Sequence, residues 1–201
     1  MTMNKNYISQ RFSIAYLLIF FCFTVFSCSS GGSKLSNSSH LPIPTIPEIK
    51  APGTPLGVDF KPILFIPAVT DSRQIQELII TPNKNYSAIG EITVPIHYAL
   101  RRTFRLRGFA VNDIAPVSLK VSILKWNATI SQESGLAEVI ISASVLDSFN
   151  EELYSSTYDG FNQFPANKNN QEILQILGQT MSQTIASLLQ DKELISLLTA
   201  F

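Results

Sequence analysis

The sequence predicts an α+β domain, a single β-α-β-β-β-α unit with a mixed sheet and its helices packed on one face. Three observations predict it. An apolar run bounded by prolines, Lys61–Thr70, precedes a segment with apolar residues at helical spacing. Two stretches of two-residue alternation and a third strand-like stretch then follow, separated by short polar turns. A long amphipathic segment closes the chain.

The domain begins near Phe60, and its first strand lies within Lys61–Thr70. The first helix starts near Thr93 with Pro95 in its first turn, where the missing N–H costs nothing. Ile96, Leu100 and Phe104 recur every four residues and share one face. Arg101, Arg102, Arg105 and Arg107 lie off that stripe and near the helix C-terminus, where cations suit the dipole. They read as a solvated face. Gly108 is a natural stop.

Val117, Leu119, Val121 and Ile123 alternate with polar residues, as do Ala137, Val139, Ile141, Ala143 and Val145. Ser134-Gly135 and Asp147–Asn150 supply turns, and Leu153–Phe161 is the third strand of the meander. Gln171–Gln190 is a long helix with Ile173, Leu177, Met181, Ile185 and Leu188 on one stripe. Asp191 caps a last helix, Lys192–Ala200. A strand-helix-strand start requires a crossover and parallel pairing. Leu124, Trp126, Ile140 and Leu146 are assigned to the sheet face that the helices leave bare.

Residues 1–27 have the form of an export signal. Lys5 and Arg11 precede an apolar run, Phe12–Phe26, of about 15 residues, short of the roughly 20 that span a bilayer. Val25-Phe26-Ser27-Cys28 then resembles the lipobox of bacterial lipoproteins. That resemblance implies cleavage before Cys28, palmitate-type acylation of that residue, and anchoring of the mature chain by more than one acyl chain. Ser29 is not the Asp that retains such proteins at the inner membrane. The expected address is therefore the outer membrane, facing the periplasm, with the membrane itself as the first partner.

Residues 28–59 read as a tether. A Gly/Ser-rich part is followed by prolines at 42, 44, 47, 52 and 55, which favour extended chain. Residues 60–201 are the globular domain. Cys22 leaves with the signal and Cys28 is lipidated, so the fold relies on its core rather than a disulfide. Losing residues 1–27 removes Lys5 and Arg11 from the 15 basic residues and none of the 15 acidic ones, leaving a net charge of about −2. Such a balance argues against nucleic acid, which needs a basic face.

Over about residues 61–200 the chain resembles the YajG-like outer-membrane lipoproteins. The matching parts are Val69-Thr70-Asp71-Ser72-Arg73, Ile89-Gly90, Leu106–Val111, Val117–Leu124, Tyr154–Asn162 and Ile185–Leu194. More distantly, the plan is similar to the lipoprotein subunit of the lipopolysaccharide-transport translocon. The resemblance implies a fold and an address more than an activity.

No catalytic set is legible. His40 falls in the tether, and His97 reads as structural. Glu151-Glu152 flanks a turn. No cofactor and no metal are expected. Asp71 and Arg73 follow a strand's carboxyl end, where α/β sheets often place function, although a turn in which Asp71 caps local N–H groups and Arg73 pairs with it is the favoured reading. The stretch Ser72–Ile92 is long for a connection and carries Ile75, Leu78, Ile79 and Ile80. Those aliphatics either form a small hairpin or offer a docking surface. With Asp71, Arg73 and Trp126 they are the candidate surface for an envelope protein partner. The favoured function is a non-enzymatic binding or envelope-assembly module. The alternative is a carrier of a small apolar or glycan ligand that uses Tyr154, Tyr158, Phe161 and Phe164.

Overall fold

The structure is a computed structural model and describes residues 39–50 and 61–201. The export signal, Cys28, the Gly/Ser-rich stretch and residues 51–60 lie outside the described residues. No described helix is long and apolar enough to cross a membrane.

Among the described residues, nine strands form one mixed sheet. Its centre is β7, Val117–Ile130. Along one side of β7, three short strands lie parallel to it in succession. These are β2 (Ile63–Phe65), β3 (Thr70–Asp71) and β4 (Glu77–Ile80), with Leu64 opposite Val117, Thr70 opposite Ser122 and Ile79 opposite Ala128. The expected single first strand is thus broken into two pieces. β6 (Ala110–Val111) adds to β2, also in parallel. On the other side, β8 (Ser134–Asp147) and β9 (Glu152–Pro165) continue the sheet as an antiparallel meander. The segment Ser72–Ile92 takes the hairpin alternative: β4 pairs antiparallel with β5 (Asn85–Ala88).

Helix α1 (Thr93–Arg107) is the parallel crossover, and its C-terminus ends on Gly108 at φ 106°, the left-handed position a glycine takes without strain. Helix α2 (Asn170–Gln190) starts from a capping box in which Asn169 and Glu172 exchange side-chain to backbone hydrogen bonds. Asp191 accepts from the N–H groups of Glu193 and Leu194 to start α3 (Lys192–Thr199). The three described helices contribute to one hydrophobic core with the inward residues of β7 and β8, among them Ile96, Phe104, Leu177, Leu194, Val121 and Ile141. This is the mixed, helix-covered sheet that the patterning predicts.

Two readings are corrected. The tether does not run unbroken to residue 59. Ser39–Leu41 is a strand, β1, paired parallel with β5. The Pro-rich stretch after it lies on the domain, with Ile43, Ile46 and Ile49 packed against the core. Prolines forbid a helix there but not an extended strap, and the isoleucines give that strap something to bury.

The second correction concerns Trp126, which is fully buried and not on the bare face. The register of β7 against β8 shifts between Ile123 and Lys125. One extra residue in a strand reverses which side chains point inward. Odd positions are buried up to Ile123, and Trp126 and Ala128 are buried beyond it. Leu124 is left 39% exposed, whereas Leu146 is buried.

Candidate functional site

The strap and α1 form an apolar concave feature. A half-open cleft of about 500 Å³ lies between Ile43–Ile49 and the α1 residues Val94, Tyr98, Ala99 and Leu106. Amphipathic spacing explains the helix wall. Ile96, Leu100 and Phe104 turn into the core, which leaves Val94, Tyr98 and Leu106 facing outward and exposed. At the rim, Arg102 Nη2 lies 2.6 Å from Glu48 Oε1, an ion pair that ties α1 to the strap. An adjoining recess of about 340 Å³ is lined by Tyr98, Arg101, Arg102, Arg105 and Leu106. Arg101 also meets Asp113 at 3.3 Å.

The strap is seated on the opposite side by α2. A side chain at Gly178 would overlap the carbonyl oxygen of Thr45. The glycine therefore lets the two backbones touch.

The sequence-derived candidates are not brought together as a surface. Leu78 and Ile79 are fully buried beneath the β4–β5 hairpin, as Trp126 is beside it. Ile80 is half-buried, and Ile75 alone of the aliphatics is exposed, at 46%. A four-residue strand in the sheet needs its inward side chains for the core, so they are not available to a partner.

Asp71 and Arg73 do pair. Arg73 donates from Nε and Nη2 to the Asp71 carboxylate at 2.9 and 3.1 Å. Its Nη1 reaches the carbonyls of Gln76 and Trp126. The Arg73 side chain is buried and spends its donors inside the fold, so it pins the β3–β4 turn to β7. Burial works against the Asp71 carboxylate, but the hydrogen bonds from Arg73 outweigh it and hold its pKa below the usual value.

The four aromatics proposed for a ligand do not line one pocket either. Tyr154 and Tyr158 both donate to Asp191 Oδ2, at 2.5 and 2.8 Å. Burial, first, and then these contacts push the Tyr158 hydroxyl far above its ordinary value. Asp191 is also partly desolvated, but the two phenols and the α3 N–H groups hold its pKa low. Phe164 is buried over Gly135, and Phe161 stands exposed. His97 Nε2 lies 3.0 Å from the Ile66 carbonyl oxygen, a contact within the fold.

The sequence carries a signal for the strap. Ile43, Ile46 and Ile49 recur every three residues between prolines, the period of a polyproline helix, and so fall on one side.

Fold and cleft together define a class: an α+β domain whose N-terminal strap forms one wall of an apolar groove on its crossover helix. No known family model and no curated protein match the chain. Among solved structures it is similar to a Xanthomonas campestris protein described under the family name DUF330, with TM-score 0.54 and 15% identity over 75% of this chain and 92% of that one. It is less similar to PelC of Paraburkholderia phytofirmans (TM-score 0.42, 14% identity, 69% and 87% covered). A minor lipoprotein of Acinetobacter baumannii has TM-score 0.41 and 11% identity, with 70% and 92% covered. The first likeness shows a shared fold.

Proposed function

We propose that this chain is an outer-membrane lipoprotein, acylated at Cys28 and facing the periplasm, whose domain is a non-enzymatic binding or envelope-assembly module. The observation that carries the reading is the succession Val25-Phe26-Ser27-Cys28 behind a 15-residue apolar run with a basic start. The resemblance to YajG-like lipoproteins supports the same address. The domain supports the binding role. Its buried polar residue Arg73 and its Tyr154–Tyr158–Asp191 cluster are occupied by contacts within the fold, whereas the strap–α1 cleft offers apolar surface to something outside it.

The strap also sets the geometry of anchoring. Only Ser29–Ser38 separate Cys28 from β1. Ten residues reach at most about 35 Å when fully extended. In this reading the domain stays close to the membrane rather than ranging on a long leash.

The test is metabolic labelling with a radioactive fatty acid. The wild-type chain is expected to carry label and to fractionate with the outer membrane, and Cys28→Ala to accumulate as unlabelled precursor. Label retained in Cys28→Ala overturns the lipoprotein reading.

A further inference from the structure

We infer that the cleft between the strap and α1 binds a single-chain anionic amphiphile of the fatty-acid class, its tail against the strap and its acidic headgroup among the α1 arginines. This deepens the binding-module half of the proposed function and does not depend on the lipid anchor.

The inference rests on two adjoining hollows, one walled mainly by apolar side chains and one edged by three arginines. The larger, about 500 Å³, has the aliphatic sides of Ile43 and Ile46 on one wall and Val94, Ala99 and Leu106 on the other. That volume lies within the range of small-ligand pockets. The smaller, about 340 Å³, opens beside it and shares Tyr98, Arg102 and Leu106 with it. Its charged lining is Arg101, Arg102 and Arg105. These positions fall at i, i+1 and i+4, and with Tyr98 they occupy one outward helix face.

The charge balance favours an anion. Two carboxylates meet these three guanidinium groups. Glu48 and Asp113 pair with Arg102 and Arg101, and both acids are well exposed. Arg105 has no ion-pair partner among the described residues. The recess is therefore net cationic on a chain whose mature charge is about −2. A guanidinium is a planar donor suited to a carboxylate or phosphate oxygen pair. Exposed Val94, Tyr98 and Leu106 remain beside it, a combination that a tail-and-headgroup ligand covers in one step.

Residues 39–201 contain the whole described core, within one compact unit spanning 37–201. The mature chain, residues 28–201 made without the signal and hence unacylated, is the form to use. Laurate and its uncharged glycerol ester, monolaurin, are titrated against it below their micelle concentrations. A diazirine-bearing laurate then maps the site by crosslinking and peptide sequencing. The expected result is saturable one-to-one binding of laurate, weaker binding of monolaurin, and crosslinks in residues 43–49 or on α1.

Ala99→Trp fills the cleft and is expected to abolish binding. If its melting temperature falls, Val94→Asp at the exposed mouth replaces it, with loss of binding again expected. Arg105→Gln is expected to weaken laurate by about two- to fivefold, as loss of an exposed charge contact does, and to leave monolaurin unchanged.

Several results overturn the inference. They are no saturable laurate binding, equal affinity for laurate and monolaurin, or crosslinks elsewhere. Binding to anionic phospholipid vesicles without binding to laurate makes the face a membrane-contact surface instead. Self-association that laurate does not compete makes it an interface between copies. Cys28 acylation is scored separately, so a failure here leaves the lipoprotein reading standing.

Discussion

The carbonyl oxygen of Thr45 occupies the space in which a side chain at Gly178 would begin. A residue of the Pro-rich strap and a residue of the long closing helix thus meet backbone to backbone, although more than a hundred positions separate them. The contact turns what looks like tether into a structural part of the domain.

Gly178→Ala tests that contact. In an isolated helix the change adds roughly 1 kcal/mol, because alanine is the better helix former. Here the new methyl group meets backbone that cannot rotate away. Overpacking of this kind costs about 1–3 kcal/mol, and the strap is expected to lift. Limited proteolysis should then cut within residues 43–50, where the wild-type chain is expected to resist. A more stable variant with an uncut strap would show that the seat lies elsewhere.

Leu177→Ala probes the core beside it. Leu177 is fully buried on α2, and its carbonyl accepts a hydrogen bond from Trp126 Nε1 at 3.3 Å. The truncation is expected to destabilise the domain by about 2–5 kcal/mol in denaturant unfolding. A change below about 1 kcal/mol would mean that the helix is not packed there as described.

Ile79→Asp distinguishes core from surface in the β4–β5 hairpin. The side chain is fully buried, opposite Ala128 of β7. An unpaired carboxylate at that position carries a large desolvation cost. The expected outcome is a collapsed melting temperature. A variant that melts like wild type would restore Ile79 to the docking surface that its sequence context suggested.

Acid stability should depend on Asp71 and Asp191. Both carboxyls have folded-state pKa values below their ordinary values, Asp71 through Arg73 and Asp191 through the two tyrosines and the α3 N–H groups. A depressed folded pKa favours the folded state above the unfolded pKa of about 3.9, and that contribution is lost as pH falls through the folded value. Chemical denaturation between pH 6 and 2 should therefore show stability falling below about pH 4. Asp191→Asn is expected to remove part of that dependence and to lower stability at pH 6. An unchanged acid limb would exclude Asp191 as a contributor.

Local pattern made much of this protein legible. The stripe Ile173–Leu177–Met181–Ile185–Leu188 forecasts α2, and Asp191 forecasts the start of α3, because both signals act within a few residues. The alternation in β7 and β8 forecasts a meander with one buried face, for the same reason. The candidate surface fared otherwise. Leu78, Ile79 and Trp126 are apolar residues in segments that sequence leaves ambiguous, and nothing in their neighbours states whether such residues meet solvent or core.

The sequence by itself determined the α+β class, the order of the long elements, and the export signal with Cys28 behind it as expectations that chemistry can test. Only the tertiary structure decided three further things: that Trp126 turns inward, that Ser72–Ile92 is a sheet hairpin, and that Ile43–Ile49 is a strap. The reason is one of range. Helix and strand periodicity is written in neighbours two to four residues apart. A register shift after Ile123, the pairing of Ile79 with Ala128, and the fit of Thr45 on Gly178 each depend on a partner far along the chain. Those partners are chosen by packing, where the space left by one absent side chain decides which backbone can lie against it.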